Sequence, residues 1–157
     1  MATITICSSV SFYRQAIDVQ ARLEAMGYIA VIPVTAEEMK QLGDFDVSRE
    51  KMPAAGADGN RNKAWFIRQH FERIAAGDAI LVLNHEKHGA DNYIGANVLM
   101  EMALAFYLRK PIFIINGMPK ASAFLDEITG MAPIALHGRL EDLPRRYEEL
   151  SGMAATA

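Results

Sequence analysis

The sequence has 157 residues, of which 51% are hydrophobic and 22% are charged, and its formal net charge at pH 7 is −3. This length and composition are typical of a single globular domain and exclude an intrinsically disordered chain. The slightly negative net charge gives no sign of a basic surface, so we expect neither a nucleic acid polymer nor a membrane as a partner.

The N-terminal segment MATITICSSV lacks the basic start and long apolar stretch of a signal peptide, and no apolar run reaches the roughly 18 to 20 residues that cross a bilayer. We therefore expect a cytoplasmic protein. The single cysteine, Cys7, excludes an internal disulfide. A buried inert thiol and a reactive thiol both remain open for it.

The first part of the chain predicts strand, helix and strand in turn. Residues 3–7 (TITIC) are short, β-branched and apolar, and the serines that follow are able to begin a helix. Apolar side chains then recur every three or four positions over residues 12–26, which predicts an amphipathic helix ended by Gly27. Residues 28–34 (YIAVIPV) predict the second strand.

Residues 35–63 form the least regular part of the sequence, with a short helical piece near residues 37–42. Loops of this length within a domain are usually lids or binding loops, so we expect a flexible lid over the sheet edge. The basic residues Arg61, Lys63 and Arg68 near it either meet a phosphate or form a solvated face.

The remaining chain predicts three further strands and four further helices in alternation. The strands are residues 78–84, 111–116 and 133–136, and the helices are residues 64–77, the run that contains Glu101, residues 121–128 and residues 141–150.

This alternation predicts one α/β domain over residues 1–150, followed by a frayed tail over residues 151–157. Its fold class is a doubly wound, flavodoxin-like three-layer sandwich with about five mostly parallel strands in the order 2-1-3-4-5. A ligand in such a fold lies beyond the carboxyl ends of strands 1 and 3, where the winding reverses. That rule selects the loops of residues 7–12 (CSSVSF) and 84–97 (NHEKHGADNYIGAN).

Glu101 is the one charged residue in the apolar run of residues 98–108. We predict that this helix is buried on nearly all sides, and an unpaired buried carboxylate is costly. Two interpretations stay open: an active-site carboxylate, or an acid stabilised by the free N–H groups of the helix start.

Residues 3–12 and 78–116 resemble the nucleoside 2-deoxyribosyltransferase-like superfamily, which includes nucleotide N-glycoside hydrolases. The matching positions are Asp78 at the opening of strand 3, the turn of residues 95–97, Glu101 at the start of a helix, and residues 109–111 before strand 4.

The resemblance implies that Glu101 is the nucleophile that attacks the anomeric carbon of a nucleoside. It also implies that residues 7–9, where the hydrolase branch reads CGS, contact the nucleotide. In the place of a second catalytic aspartate this chain has His70, which is either a general acid near neutral pH or a packing histidine. This chemistry needs no metal and no organic cofactor.

Further residues of the two selected loops are candidates for substrate binding. The predicted binding set is Cys7, Ser8, Ser9, Phe12, Asn84, Tyr93, Gly95 and Asn97. Tyr93 either stacks on a base or ribose or packs within the loop, and Asn97 is either a helix cap or a ligand contact. For His85 and His88 we favour a solvated loop over metal binding.

The sequence thus favours an enzyme that cleaves or transfers the N-glycosidic bond of a nucleoside or nucleoside 5′-monophosphate. The alternatives are a non-catalytic nucleotide-binding or sensing module of the same fold and a purely structural flavodoxin-like domain. Because the apolar helix exceeds what one side of a sheet covers, we also expect a homodimer or a higher homo-oligomer.

Overall fold

The computed structural model describes residues 1–46 and 63–154. Within these ranges five strands form one parallel sheet: β1 (Thr3–Ser8), β2 (Ile29–Val31), β3 (Ala79–Leu83), β4 (Ile112–Ile114) and β5 (Ile134–Ala135). Their order is β2-β1-β3-β4-β5, and every neighbouring pair is parallel. The predicted fold class and strand order are therefore confirmed, and the winding reverses between β1 and β3.

Helices cover both faces of the sheet. They are α1 (Tyr13–Ala25), α2 (Val34–Leu42), α3 (Lys63–Ala76), α4 (Ala96–Tyr107), α5 (Leu125–Gly130) and α6 (Leu143–Ala154), with short 3-10 turns at Val10–Phe12 and Leu140–Asp142. One apolar core packs α1, α2 and the start of α6 against one face, and a second core packs α3, α4 and α5 against the other. Since side chains alternate along a strand, Ile6 of β1 enters the first core and Cys7 enters the second.

Helix α3 approaches β1 closely because a glycine follows it. A Cβ atom on Gly77 would lie 2.7 Å from Oγ1 of Thr5, so any larger residue would push the helix end away from the strand. The Thr5 hydroxyl also donates a hydrogen bond to the carbonyl of Arg73 at 3.2 Å. These contacts fix the last turns of α3 over β1.

The end of α3 is also attached to the segment that follows α4. The ammonium group of Lys110 donates hydrogen bonds to the carbonyl oxygens of Ile74, Ala75 and Gly77. A cation is favourable at this position because the last carbonyls of a helix carry partial negative charge.

Several boundaries differ from the predicted ones. The second strand is shorter because Pro33 precedes α2, which begins at Val34 and is longer than the predicted helical piece. Helix α5 begins at Leu125, and α6 continues to Ala154, into the segment predicted to be frayed. Most of the predicted lid, residues 47–62, lies outside the described residues.

The prediction that α4 is buried on nearly all sides is wrong. Its side chains Val98, Met102 and Ala105 enter the core, whereas Phe106 and Tyr107 are 54% and 81% exposed. The helix therefore has an apolar face that the described chain leaves uncovered, and the expected homo-oligomer stays a prediction. In the described ranges no helix is long and apolar enough to cross a membrane.

Candidate functional site

Three side chains with different chemistry meet between the sheet and the helices α3 and α4. Cys7 comes from the end of β1, His70 from α3 and Glu101 from α4. One ligand atom from each residue lies within 4.8 Å of the others, and Nε2 of His70 is 3.8 Å from Oε2 of Glu101. We call these residues the Cys7–His70–Glu101 cluster.

The local sequence explains why these side chains converge. On α3, His70 lies one turn before the buried Ile74 and thus on the same face of the helix. On α4, Glu101 follows Val98 by three positions and precedes Ala105 by four, so it belongs to the face that packs against the sheet. The carboxylate therefore replaces an apolar side chain in a core-facing stripe.

The cluster is buried and its hydrogen bonds are incomplete. The side chains of His70 and Glu101 are 7% and 14% exposed, and Cys7 is fully buried. Among the described residues, both ring nitrogens of His70 and Oε2 of Glu101 lack a hydrogen-bond partner. Each such group costs roughly 1 to 3 kcal/mol, so packing alone does not account for this arrangement.

Burial controls the protonation of the cluster. It raises the pKa of Glu101 to about 8, against which a hydrogen bond with Cys7 acts in the opposite direction. Burial, together with the charge of Arg73, lowers the pKa of His70 to about 4. Burial also raises the pKa of the Cys7 thiol, as does the neighbouring Glu101. The expectation that His70 titrates near neutral pH is therefore corrected: a neutral imidazole lies beside a protonated carboxyl.

The structure disfavours one of the two alternatives that the sequence left open at each of two residues near the start of α4, Asn97 and Glu101. The helix begins at Ala96 and is capped by Gly95, which leaves Glu101 in the second turn. The free N–H groups of a helix start act within its first turn, so they do not account for this acid. Asn97 lies inside the first turn with an exposed side chain and is not the cap. A ligand contact by Asn97 stays a prediction.

The loops after β1 and β3 meet, as the doubly wound fold predicts. Nζ of Lys87 donates a hydrogen bond to Oγ of Ser9 at 2.7 Å and lies 5.2 Å from the ring centroid of Tyr93. Phe12 and His85 make an edge-to-face contact with ring centroids 5.3 Å apart. Sequence reasoning did not assign Lys87, although it is a basic residue within one of the two selected loops.

Buried polar atoms also lie at this edge. Oγ of Ser8 and Nε2 of His85 have no hydrogen-bond partner among the described residues. Burial lowers the pKa of His85, so its imidazole is neutral at pH 7. Neutral hydroxyl and imidazole groups are suitable partners for the hydroxyls of a sugar.

Two other predicted binding residues have structural contacts of their own. A Cβ atom on Gly95 would lie 3.0 Å from the hydroxyl oxygen of Tyr93, so the glycine lets the tyrosine ring lie against the helix start. The Asn84 amide donates to the carbonyl of Gly117 at 2.8 Å and accepts from the N–H of Asn116 at 3.0 Å. These bonds join the ends of β3 and β4, and substrate contacts by these residues stay predictions.

Asp78, the first position of the resemblance, lies away from the cluster. Its carboxylate accepts a hydrogen bond from the N–H of Thr3 at 2.7 Å, at the amino ends of β1 and β3. Lys63 and Arg68 are exposed on α3, and Arg61 lies outside the described residues.

A cavity of about 820 Å³ lies elsewhere in the molecule, between the end of α4 and α6. Phe106, Met131 and Tyr147 are among its lining residues, and no predicted site residue contributes to it. It therefore has no part in the chemistry of the cluster.

No family model and no curated protein matches this sequence. Solved structures that resemble it distantly include the following two. A 2-deoxyribosyltransferase from Bacillus psychrosaccharolyticus is 14% identical over 72% of this chain and 71% of that one, with a TM-score of 0.45. The flavoenzyme FerB, an NAD(P)H:(acceptor) oxidoreductase from Paracoccus denitrificans, is 12% identical over 86% and 75%, with a TM-score of 0.44. Likeness at this level does not indicate what this chain binds or catalyses.

Proposed function

We propose that this protein cleaves or transfers the N-glycosidic bond of a nucleoside or nucleoside 5′-monophosphate, with Glu101 as the nucleophile. The observation that carries the proposal is the buried carboxyl group of Glu101. It lies 3.8 Å from His70, has an oxygen without a partner among the described residues, and is adjacent to the end of β1.

The chemistry of glycosidic cleavage matches this environment. Positive charge develops at the anomeric carbon in the transition state, and a carboxylate in a site of low dielectric constant stabilises that charge strongly. The free protein disfavours the Glu101 anion because burial raises its pKa. A bound sugar that becomes cationic supplies the missing counter-charge.

His70 and Glu101 together carry one proton between pH values of about 4 and 8. Transfer of this proton to His70 gives a carboxylate and an imidazolium without changing the net charge of the pair. In the free protein this transfer is unfavourable because the pKa of Glu101 lies above that of His70, and the positive charge that develops on the sugar offsets the cost by favouring the carboxylate. The carboxylate then forms a bond to the anomeric carbon while the bond to the base breaks, and the imidazolium proton passes to the departing base. Water or a second base later displaces the carboxylate and returns a proton to the pair.

The neighbouring loops favour a phosphorylated substrate. Lys87 and Ser9 are joined by a hydrogen bond at the junction of the loops after β1 and β3. An ammonium group and a hydroxyl group both bind phosphate oxygens, so this junction is suited to the 5′-phosphate of a nucleotide.

The test is incubation with nucleosides and nucleoside 5′-monophosphates, followed by chromatography for free base. We also expect a glycosyl-enzyme, detected as an increase in intact mass equal to the sugar residue after acid quenching, and mapped by peptide mass spectrometry to Glu101. Glu24→Gln, which neutralises an exposed acid on α1, is the matched control and retains turnover. An adduct on another residue, or base release by Glu101→Gln at the normal rate, refutes the nucleophile assignment.

One observation favours a second candidate, a non-catalytic nucleotide-binding module. Burial keeps the carboxyl group of Glu101 protonated near neutral pH, and a protonated carboxyl is a hydrogen-bond donor rather than a nucleophile. This module predicts thermal stabilisation by a nucleotide with no base released from any member of the panel.

A further inference from the structure

The Cys7–His70–Glu101 cluster contains the three side-chain types that zinc prefers. Zinc accepts thiolate sulfur, imidazole nitrogen and carboxylate oxygen together, whereas magnesium and calcium select oxygen ligands. Among the described residues, this is the group of three or more metal-type side chains whose ligand atoms converge within 4.8 Å. We propose that the cluster binds one divalent metal ion of the zinc class, and that the bound ion excludes the glycosidic reaction by occupying Glu101.

The distances between the ligand atoms of the cluster suit a tetrahedral metal site once these atoms move slightly closer together. Zinc–ligand bonds of roughly 2.0 to 2.3 Å place tetrahedral ligand atoms about 3.3 to 3.8 Å apart. Nε2 of His70 and Oε2 of Glu101 are already 3.8 Å apart, and the largest separation in the cluster is within 4.8 Å. An inward movement of about 1 Å, which side-chain rotation supplies, completes the geometry.

The charges also balance. On binding, the Cys7 thiol and the protonated Glu101 carboxyl each release one proton to solvent. The resulting thiolate and carboxylate carry two negative charges, His70 contributes a neutral lone pair, and a divalent ion makes the buried group neutral overall. Nε2 of His70 and Oε2 of Glu101 have no hydrogen-bond partner among the described residues, and coordination to the ion gives each of these atoms a partner. Three protein ligands leave the fourth position of the metal to water.

The site lies in the second apolar core, between α3, α4 and β1. Low local dielectric strengthens coordination by charged ligands and slows the exchange of the ion. Since a metal-bound carboxylate cannot attack an anomeric carbon, the metal-loaded and catalytic states exclude each other. Binding of the ion itself requires no nucleoside, so the metal site stands or falls separately from the proposed function, whereas the exclusion of the reaction rests on that function.

Cobalt and zinc provide the direct test in reduced protein that has first been treated with a chelator. We expect one equivalent of Co²⁺ per chain and a thiolate-to-cobalt charge-transfer band, which Zn²⁺ then displaces. The sequence contains a single cysteine, so this band in the unmodified protein identifies Cys7 as a ligand without any substitution. Co²⁺ binding without the band, or no binding at one equivalent, overturns the proposal.

Variants identify the other two ligands. His70→Gln and Glu101→Gln weaken Zn²⁺ binding, measured by competition with a chromophoric chelator, by at least the roughly 10- to 100-fold that loss of an outer-shell partner costs. His88→Asn is the matched control, because His88 is exposed and an asparagine tolerates its positive φ of 54°. Unchanged affinity in the cluster variants, or a comparable loss in His88→Asn, contradicts this ligand set.

Competition between the ion and the reaction is measured last. Zn²⁺ at one equivalent abolishes release of base, and excess chelator restores it. Activity that persists in protein shown by Co²⁺ spectroscopy to be fully loaded refutes the exclusion. If no substrate in the panel is ever cleaved, the spectroscopic result alone still decides whether the metal site exists.

Discussion

Helix α3 presents two basic side chains, His70 and Arg73, to acids on different elements, and the two pairs are built in opposite ways. Arg73 forms a bidentate ion pair with Glu37, with both N–O distances at 2.9 Å, and also donates to the carbonyl of Ile32. Its side chain is 24% exposed and that of Glu37 is 40% exposed. His70 meets Glu101 at 3.8 Å with 7% and 14% exposure.

The difference between the two pairs shows how a contact that stabilises the fold differs from one that is suited to reaction or ligand binding. A pair kept for stability makes all its hydrogen bonds and remains partly hydrated, as Arg73 and Glu37 do. A buried pair with incomplete bonds weakens the fold, because desolvation is not offset by a short contact. The geometry of His70 and Glu101 is therefore suited to reactivity or ligand binding rather than to stabilising the fold.

The largest expected effect is on turnover, to which Glu101 contributes and Glu37 does not. Glu101→Gln lowers kcat/KM for release of base by roughly 10³-fold or more, because loss of a nucleophile removes the covalent step. Glu37→Gln stays within about threefold of the unmodified protein. Steady-state kinetics on chelator-treated protein measures both values, and equal losses in the two variants contradict the distinction.

The second prediction concerns the pH dependence of the free energy of unfolding in metal-free protein. The ordinary pKa is 4.5 for a glutamate and 6.5 for a histidine, so the unfolded pair is half protonated on the histidine at pH 6.5 and nearly proton-free at pH 8. The folded pair keeps one proton on Glu101 up to a pH of about 8. Because the folded state then binds more protons, stability falls as pH rises from 6.5 to 8, by roughly 1 to 2 kcal/mol.

Glu101→Gln tests this contribution directly. The glutamine has no proton to lose, so the variant lacks this decrease above pH 6.5, and the difference between the two proteins isolates the contribution of Glu101 from other titrating groups. Urea denaturation at pH 6.5 and at pH 8 provides the comparison. An equal decrease in both proteins would show that Glu101 titrates normally.

A smaller effect is expected from the other pair. Arg73→Met lowers the free energy of unfolding by about 1 to 2 kcal/mol, because it removes the bond to the Ile32 carbonyl and leaves Glu37 unpaired. Turnover stays within about threefold, and the pKa of His70 rises because a neighbouring positive charge is lost. Denaturation measures stability and NMR titration measures the pKa. Arg73→Lys keeps the charge but not the bidentate geometry, so its stability lies between the two.

The smallest effect is a response to salt. Raising the ionic strength from about 0.05 M to about 1 M reduces the cost of Arg73→Met by a few tenths of a kcal/mol, because partly exposed charges are screened. The pH-dependent contribution of Glu101 stays unchanged, since salt does not reach a buried group. The same denaturation series at both ionic strengths checks this, and a salt-sensitive Glu101 contribution would place that carboxyl in contact with solvent.

The strand order was predictable because alternating elements and right-handed crossovers leave few arrangements of a parallel sheet. Continuous apolar runs such as residues 79–83 identified the central strands. Element ends were less accurate, as at Pro33, because the residue that ends a strand also permits the following helix to begin.

The cluster was only partly predictable. An acid alone in an apolar helix identified Glu101, and the resemblance to a known superfamily identified His70. Their partnership with the Cys7 side chain depends on which face of β1 that residue occupies and how closely α3 approaches the strand, which the sequence does not specify. The exposed face of α4 was missed because an apolar composition does not reveal which side of a helix lacks a neighbour.

Lys110 has a consequence for the position of His70. Its ammonium group binds the final carbonyls of α3 and so anchors that end of the helix, with His70 about 9 Å along the axis from Ala76. A backbone fixed in this way leaves the closure of about 1 Å at the metal site to rotation of the imidazole and of the other two side chains. The spacing between α3 and α4 is therefore held constant from the end of the helix, so a ligand in the cluster is accommodated by its side chains rather than by its backbone.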